Sequence, residues 1–176
     1  MEIFTKILID STEDKTFTRP NLTSNGTMGG SSAACAVSSG AGTRTGYEPF
    51  RAFDSDTSSY WIDSSASLSS SHAVWITFYN PIPVKLTKVV IKHYSGSYWT
   101  CKSGYIQGSN DNSSWTNLAN LPNSASTQTI TVNLTNDNHY KYYRFYATSC
   151  NYWNSGDGLW YAWCIANIGM TGTYEE

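Results

Sequence analysis

The chain has 176 residues, a formal net charge of −2 and only 14% charged side chains, whereas 15% of its residues are aromatic. This length suits one domain with a substantial core, and the scattered lysines and arginines form no basic patch for nucleic acid. The N-terminal segment MEIFTKILID is interrupted by Glu2 and Lys6, so no signal peptide is visible and membrane insertion is not expected.

Residues 1–20 form a charged leader that ends at Pro20, and we interpret it as a connector or an added edge strand. The domain is predicted over residues 21–174. Within it, short segments alternate between apolar and polar side chains, as strands with one buried face do. The segment HAVWITF puts Val74, Ile76 and Phe78 on one face, and LTKVVIKHY does the same with Val89, Ile91 and His93. Together with QTITVNL, YKYYRFYA, WCIANIGM and polar connectors, these segments predict an all-β jelly-roll β-sandwich.

The segment AFDSDTSSYW brings two carboxylates, Asp54 and Asp56, close together with no lysine or arginine between them and Trp61. A calcium ion would neutralise them, because carboxylate, hydroxyl and backbone oxygens are its usual ligands. The alternative is an Asx-turn in which Asp54 accepts a hydrogen bond from its own backbone, and the spacing alone favours that alternative.

Four cysteines, Cys35, Cys101, Cys150 and Cys164, show neither CxxC spacing nor a histidine at the spacing of zinc ligands. A metal-thiolate site is therefore not expected. Pairing of Cys101 with Cys150 and buried free thiols remain two open interpretations.

Two predicted loops are unusually aromatic: YSGSYWTC, from Tyr94 to Cys101, and CNYWNSGDGLWYAW, from Cys150 to Trp163. A tryptophan in a loop leaves a large apolar face in water unless something covers it. The C–H face of a pyranose provides such a cover, while neighbouring polar side chains bond the sugar hydroxyls.

The segments AFDSD…YW, VWITF, KVVIKHY, GYIQGSNDNSSWTNL, KYYRFYATS and CIANIGM, in this order, resemble the discoidin domains. These form the coagulation factor V/VIII type C superfamily, which includes the family-32 carbohydrate-binding modules. The resemblance runs from about Pro20 to Gly172 and is most specific in AFDSD…YW and IQGSNDNSSW. It implies a galactose-binding-like β-sandwich with a structural Ca²⁺ held by the first of these segments and by the last strand. The implied ligands are Asp54, Asp56, Ser59 and Asn167, where Asn167 replaces the glutamate usual in the family and Ser59 the usual threonine.

The resemblance also implies that the two aromatic loops bind a glycan. The implied stacking residues are Trp99, Tyr98 and Trp153, and the implied polar residues are Tyr152, Asn151, Asn154, Asp157, Asp63 and His93. The alternative is that about half of the aromatic side chains belong to the core, including Trp61, Trp75, Trp115, Trp160 and Trp163.

These features predict a non-catalytic carbohydrate-binding module, because the chain has no GxSxG or HExxH motif and no evident pair of catalytic carboxylates. The alternative function is receptor recognition or a structural role in a larger assembly, such as a phage tail or surface adhesin, or in a homo-oligomer. Either role places the chain outside the cell or on a virion surface. Phospholipid binding ranks last, because the aromatic loops are poor in basic residues, with only Lys102 directly after the first of them.

Overall fold

The computed structural model describes residues 14–29, 34–40, 44–63, 73–94, 98–125, 128–154, 156 and 158–175. Within these residues lie one 3-10 helix, Pro49–Phe53, and eleven strands. The strands are β1 Lys15–Thr18, β2 Ala36–Ser39, β3 Trp61–Ile62, β4 Val74–His93, β5 Cys101–Ser109, β6 Thr116–Leu121, β7 Thr129–Asn133, β8 Tyr140–Cys150, β9 Tyr152–Asn154, β10 Leu159–Tyr161 and β11 Cys164–Tyr174. None of the described segments is a helix with the length and hydropathy needed to cross a bilayer.

Nine of these strands form two antiparallel layers, and β9 and β10 pair with each other in a separate two-stranded sheet. One layer has the order β2-β4-β8-β5-β6, and in the other β11 and β7 flank β4, with β1 and β3 paired to β11. The core between them is fully buried and includes Phe53, Trp61, Phe78, Phe145, Trp163 and Ile168. The predicted all-β sandwich is therefore confirmed.

Strand β4 contributes to both layers. Its first part, Val74 to Tyr79, pairs with β8, and its last part pairs with β11 and β7. The register with β8 shifts between Tyr79 and Val84, where two prolines interrupt the ladder because they lack a backbone N–H. The two strands predicted from HAVWITF and LTKVVIKHY are thus parts of one bent strand.

The predicted alternation holds along β4, with one difference between its two parts. In the last part Val89, Ile91 and His93 are buried, while Lys92 is half-buried and Tyr94 is exposed. In the first part Thr77 and Tyr79, which point to the opposite face from Ile76 and Phe78, are buried as well, so this part of the strand is covered on both faces. Alternation therefore identifies the core face of a strand but not how well its other face is covered.

The end of the leader is an edge strand, the second of the two interpretations given above. Strand β1 pairs with the C-terminal part of β11, from Lys15 opposite Tyr174 to Thr18 opposite Thr171. The backbone N–H of Arg19 extends this pairing by donating to the carbonyl of Met170, 3.0 Å away. The sandwich therefore includes residues before position 20.

The segment IQGSNDNSSW forms the hairpin between β5 and β6. A carboxylate oxygen of Asp111 accepts hydrogen bonds from the backbone N–H groups of Ser113 and Ser114 at 2.8 and 2.7 Å. These bonds and that of the Ser109 hydroxyl hold the pKa of Asp111 well below its usual range. The side chain therefore fixes the turn as a carboxylate.

All four cysteines are free thiols in this structure. Cys101 and Cys150 lie opposite each other on β5 and β8 and are fully buried. Burial raises the pKa of Cys101 to about 12 and raises that of Cys150 as well, because the interior disfavours a thiolate. These thiols are therefore poor nucleophiles in the native state.

A substitution at Gly104 tests how closely the backbones of β5 and β8 approach each other. A Cβ atom at this position would lie 2.1 Å from the carbonyl oxygen of Tyr146. We expect Gly104→Ala to lower the free energy of unfolding by about 3 kcal/mol, the upper range for an overpacked site. Gly169→Ala on β11 is the matched control, because its Cβ would meet Val90 at an ordinary 3.8 Å. Urea unfolding of both variants checks this, and equal losses would contradict the close contact.

Candidate functional site

The two aromatic loops leave the same end of the sandwich. Pairing of Cys101 with Cys150 and of Ile165 with His93 brings together the beginnings of β5 and β11 and the ends of β8 and β4. Two backbone hydrogen bonds anchor the loops there, from Cys164 to the carbonyl of Trp99 at 2.9 Å and from Asn151 to that of Thr100 at 2.8 Å. Trp99 and Thr100, which precede β5, therefore lie beside Cys164 and Asn151 of the second loop.

The second loop contains its own hairpin, formed by β9 and β10. Trp153 pairs with Trp160, and Tyr152 pairs with Tyr161. Directly paired residues share a face of a two-stranded sheet, so the two tryptophans lie on one face and the two tyrosines on the other. Trp153 and Trp160 are 42% and 40% exposed. The hairpin therefore presents two indoles to solvent.

The tryptophan face of the hairpin contacts the first loop. The ring centroid of Trp153 lies 5.6 Å from that of Trp99 and 6.5 Å from that of Tyr98. The indole N–H of Trp99 donates to the backbone carbonyl of Trp160 at 3.2 Å. Tyr98, Trp99, Trp153 and Trp160 are called the aromatic cluster below. It contains all three predicted stacking residues and adds Trp160.

The polar residues predicted in the second loop have different roles. The side-chain amide of Asn151 donates to the Thr100 hydroxyl at 2.9 Å and to Asn123 at 3.1 Å, so it ties the loop to its neighbours. The side-chain oxygen of Asn154 accepts from the backbone N–H of Gly156 at 3.0 Å and shapes the hairpin tip. Tyr152 is exposed on the face opposite Trp153. Asp157 lies outside the described residues.

The remaining two polar candidates are inside the protein. His93 is fully buried at the end of β4, and Asp63 is 1% exposed, with its backbone N–H donating to the carbonyl of Trp163 at 3.0 Å. Neither side chain lies on the surface that the aromatic cluster presents. The sequence contained a signal for His93, since alternation places it on the same face as the buried Val89 and Ile91.

A second set of rings lies near the same end. The Tyr60 centroid is 4.9 Å from that of Tyr47 and 4.1 Å from that of Tyr94, and we call these three the tyrosine cluster. Tyr47 and Tyr60 line an open pocket of about 600 Å³. Burial, followed by contact with Tyr47, raises the pKa of Tyr60 far above its usual value, so its phenol stays neutral. Sequence reasoning missed this cluster, because its members come from three separate connections.

The predicted metal loop, residues 54–60, is called the acidic loop below. One carboxylate oxygen of Asp54 accepts the backbone N–H of Asp56 at 2.9 Å, and the other accepts the Ser59 hydroxyl at 2.6 Å. Asp56 accepts the backbone N–H of Ser58 at 2.9 Å and its hydroxyl at 2.7 Å. These bonds lower the pKa of Asp56. The acidic loop therefore contains the Asx-turn that was the alternative to calcium.

The fourth predicted ligand, Asn167, faces an arginine. Its side-chain oxygen accepts a hydrogen bond from a guanidinium nitrogen of Arg19 at 3.2 Å. The same nitrogen donates to the Ser55 hydroxyl at 3.1 Å. The residues present fit calcium poorly, because a divalent cation on Asn167 would adjoin this positive charge. Calcium binding stays a prediction.

Comparisons with known proteins identify the fold. A family-32 carbohydrate-binding module from a family 31 glycoside hydrolase of Clostridium perfringens has a TM-score of 0.62 and 18% identity, covering 77% of this chain and 88% of that one. Chitosan-binding module 1 of a chitosanase/glucanase from Paenibacillus sp. IK-5 has a TM-score of 0.58 and 21% identity, with coverage of 78% and 94%. The family 32 module of C. perfringens NanJ, solved with galactose, has a TM-score of 0.60 and 14% identity, with coverage of 78% and 93%.

A search of curated proteins finds no match. The F5/8 type C domain family matches residues 32–165, which include the acidic loop, most of the sandwich and both aromatic loops. This chain therefore belongs to the F5/8 type C (discoidin) domain family.

Proposed function

We propose that this domain is a non-catalytic carbohydrate-binding module and that a sugar ring docks on the aromatic cluster. The observation that carries the proposal is the pair of indoles, Trp153 and Trp160, that share one exposed face of the β9–β10 hairpin. An apolar surface of this kind is unfavourable in water unless a ligand covers it.

The aromatic cluster suits a pyranose because its rings hold one another in place. Trp99 meets Trp153 at 69° between ring planes, and its N–H is bonded to the hairpin backbone. A ring buttressed in this way loses little conformational entropy when a ligand covers it. The weakly polarised C–H groups on one face of a sugar then pack against the indole face.

Polar groups beside the rings provide hydrogen bonds to the sugar hydroxyls. Tyr98 contributes a phenol next to Trp153. Asn154 lies on the other face of the hairpin with Tyr152, because successive residues of a strand alternate in direction, and its side-chain oxygen accepts from Gly156. Asn151 acts indirectly, by fixing the start of the hairpin. His93 and Asp63 take no part, because they are buried behind the loops.

Carboxylates near this end stabilise turns, which supports binding without catalysis. Glu48 accepts the backbone N–H of Gly46 at 2.8 Å and the Arg51 side chain at 2.9 Å, and these bonds lower its pKa to about 2. Asp56 is also held ionised by its own turn. A glycosidase needs one carboxylic acid with a raised pKa to protonate the leaving group, whereas the pKa values of Glu48 and Asp56 are lowered.

Solved neighbours support the ligand class. One was determined with galactose, another with GalNAc-β-1,3-galactose, and a third is described as a chitosan-binding module. We therefore propose a glycan as the partner and an extracellular or virion surface as the location, where glycans are accessible.

The first prediction concerns the central ring. We expect Trp153→Ala to weaken glycan binding at least about tenfold, as loss of a central stacking residue does, without unfolding the domain. Trp115→Ala is the matched control, because Trp115 packs on Arg144 beside the β5–β6 hairpin, at the opposite end of β5 from Trp99. Binding is measured on a glycan array and then by calorimetry. Equal binding by the two variants would contradict the proposed site.

The second prediction separates the two faces of the hairpin. We expect Trp160→Ala to weaken binding at least about tenfold, because Trp160 shares the face of Trp153. Tyr152→Ala is expected to change binding less than about threefold, since Tyr152 lies on the opposite face with Tyr161. Calorimetry with the glycan found on the array measures both variants. A larger loss for Tyr152→Ala would move the site to the other face.

A further inference from the structure

Arg19 is a buried cation at the junction of β1, the 3-10 helix and β11. Arg19 is 6% exposed, and its guanidinium lies 5.5 Å from the ring centroid of Phe53. A buried arginine is rare unless acceptors and opposite charge surround it. Its surroundings therefore show what it neutralises.

The guanidinium is bound to oxygens from separate parts of the chain. One of the two terminal nitrogens, Nη1, donates to the backbone carbonyls of Phe53 and Pro20. The other donates to Ser55 and Asn167, and the Arg19–Asn167 bond joins residues 148 positions apart. The planar fork of arginine makes several such bonds at once, which a point charge on a flexible stem does not. Arg19 thus ties the acidic loop to the first and last strands.

Local backbone irregularities place Ser55 of the acidic loop and Asn167 of β11 near Arg19. A register shift between Ile165 and Asn167 marks a bulge in β11, and bulges redirect side chains out of the regular ladder. Ser55 adopts a positive φ of 65°, and its hydroxyl donates to Asn21 at 2.6 Å while accepting from Arg19. Asn167 and Ser55 therefore reach the same guanidinium nitrogen.

The charge balance agrees with these contacts. Burial lowers the pKa of Arg19 to about 10, and the Asp54 carboxylate opposes that shift. The guanidinium is therefore protonated at neutral pH, and it lies close enough to the Asp54 carboxylate for the two charges to interact. Lys88 lines the same open pocket of about 320 Å³ as Arg19, Ser55 and Asn167, so a second positive charge is near.

We propose that the guanidinium of Arg19 is the resident cation of the acidic loop, so that the loop holds its fold without calcium. This proposal concerns stability and does not depend on glycan binding. It explains why Asn167 suffices on the last strand: a neutral amide oxygen completes the arginine site without a further charge.

Thermal unfolding of the full chain tests the proposal in two arms. In the first, the melting temperature of the unaltered protein is measured with a chelator and with about 5 mM calcium, above the millimolar affinities of weak calcium modules. We expect the two values to agree within about 1 °C, because no ion is needed. A melting temperature that rises with calcium by several degrees would overturn the proposal.

In the second arm, Arg19→Met removes the charge but keeps an unbranched side chain. We expect the melting temperature to fall by about 5–10 °C, because the buried oxygens lose their cation. Arg51→Met is the matched control and is expected to shift the melting temperature by less than about 2 °C, since the ion pair of Arg51 with Glu48 and its contact with the Phe50 ring are partly exposed to solvent. Arg19→Lys retains the charge, so we expect it to lower the melting temperature by less than Arg19→Met does. Equal shifts for Arg19→Met and Arg51→Met, or for the two Arg19 variants, would overturn the proposal.

Discussion

The bent strand β4 is the constraint on which the rest of the architecture depends. Its first part pairs with β8 and its last part with β11, so one continuous segment fixes how the two layers face each other. Because β4 ends at His93, the chain enters the first aromatic loop at the end where β8 finishes and β11 begins. The aromatic cluster is a consequence of this convergence: its rings come from two connections that the strand pairing places side by side.

Two different devices stabilise the loops at the surface of the sandwich. The aromatic loops are held by backbone hydrogen bonds, the Asn151 amide and ring contacts, which leave Trp153 and Trp160 exposed. The acidic loop is held by its own carboxylates and, in our proposal, by the buried guanidinium of Arg19. The first device leaves an apolar surface exposed, which in our proposal binds a glycan, whereas the polar groups of the second are satisfied within the chain. The proposed binding site and the proposed stabilising cation therefore rest on different residues.

Much of the fold follows from the sequence, because alternation is a local property of a strand and identifies its core face. The exposure of Trp160 is not local: it depends on how a hairpin of three-residue strands lies on a neighbouring loop. The tyrosine cluster and the Arg19–Asn167 bond join residues far apart in the chain, so no window of sequence contains them. Asp63 was also misplaced by sequence reasoning. An acidic residue after a two-residue strand is expected at the surface, but Asp63 is buried and its backbone N–H donates to the carbonyl of Trp163.

The most direct test of the aromatic site is a two-dimensional nitrogen–proton NMR titration that follows the indole N–H signals of the seven tryptophans as glycan is added. The proposed site predicts that the signals of Trp153 and Trp160 shift with increasing ligand, while those of the buried Trp61 and Trp163 and of the distant Trp115 do not. A titration that moves Trp115 and leaves Trp153 and Trp160 unchanged would contradict the account.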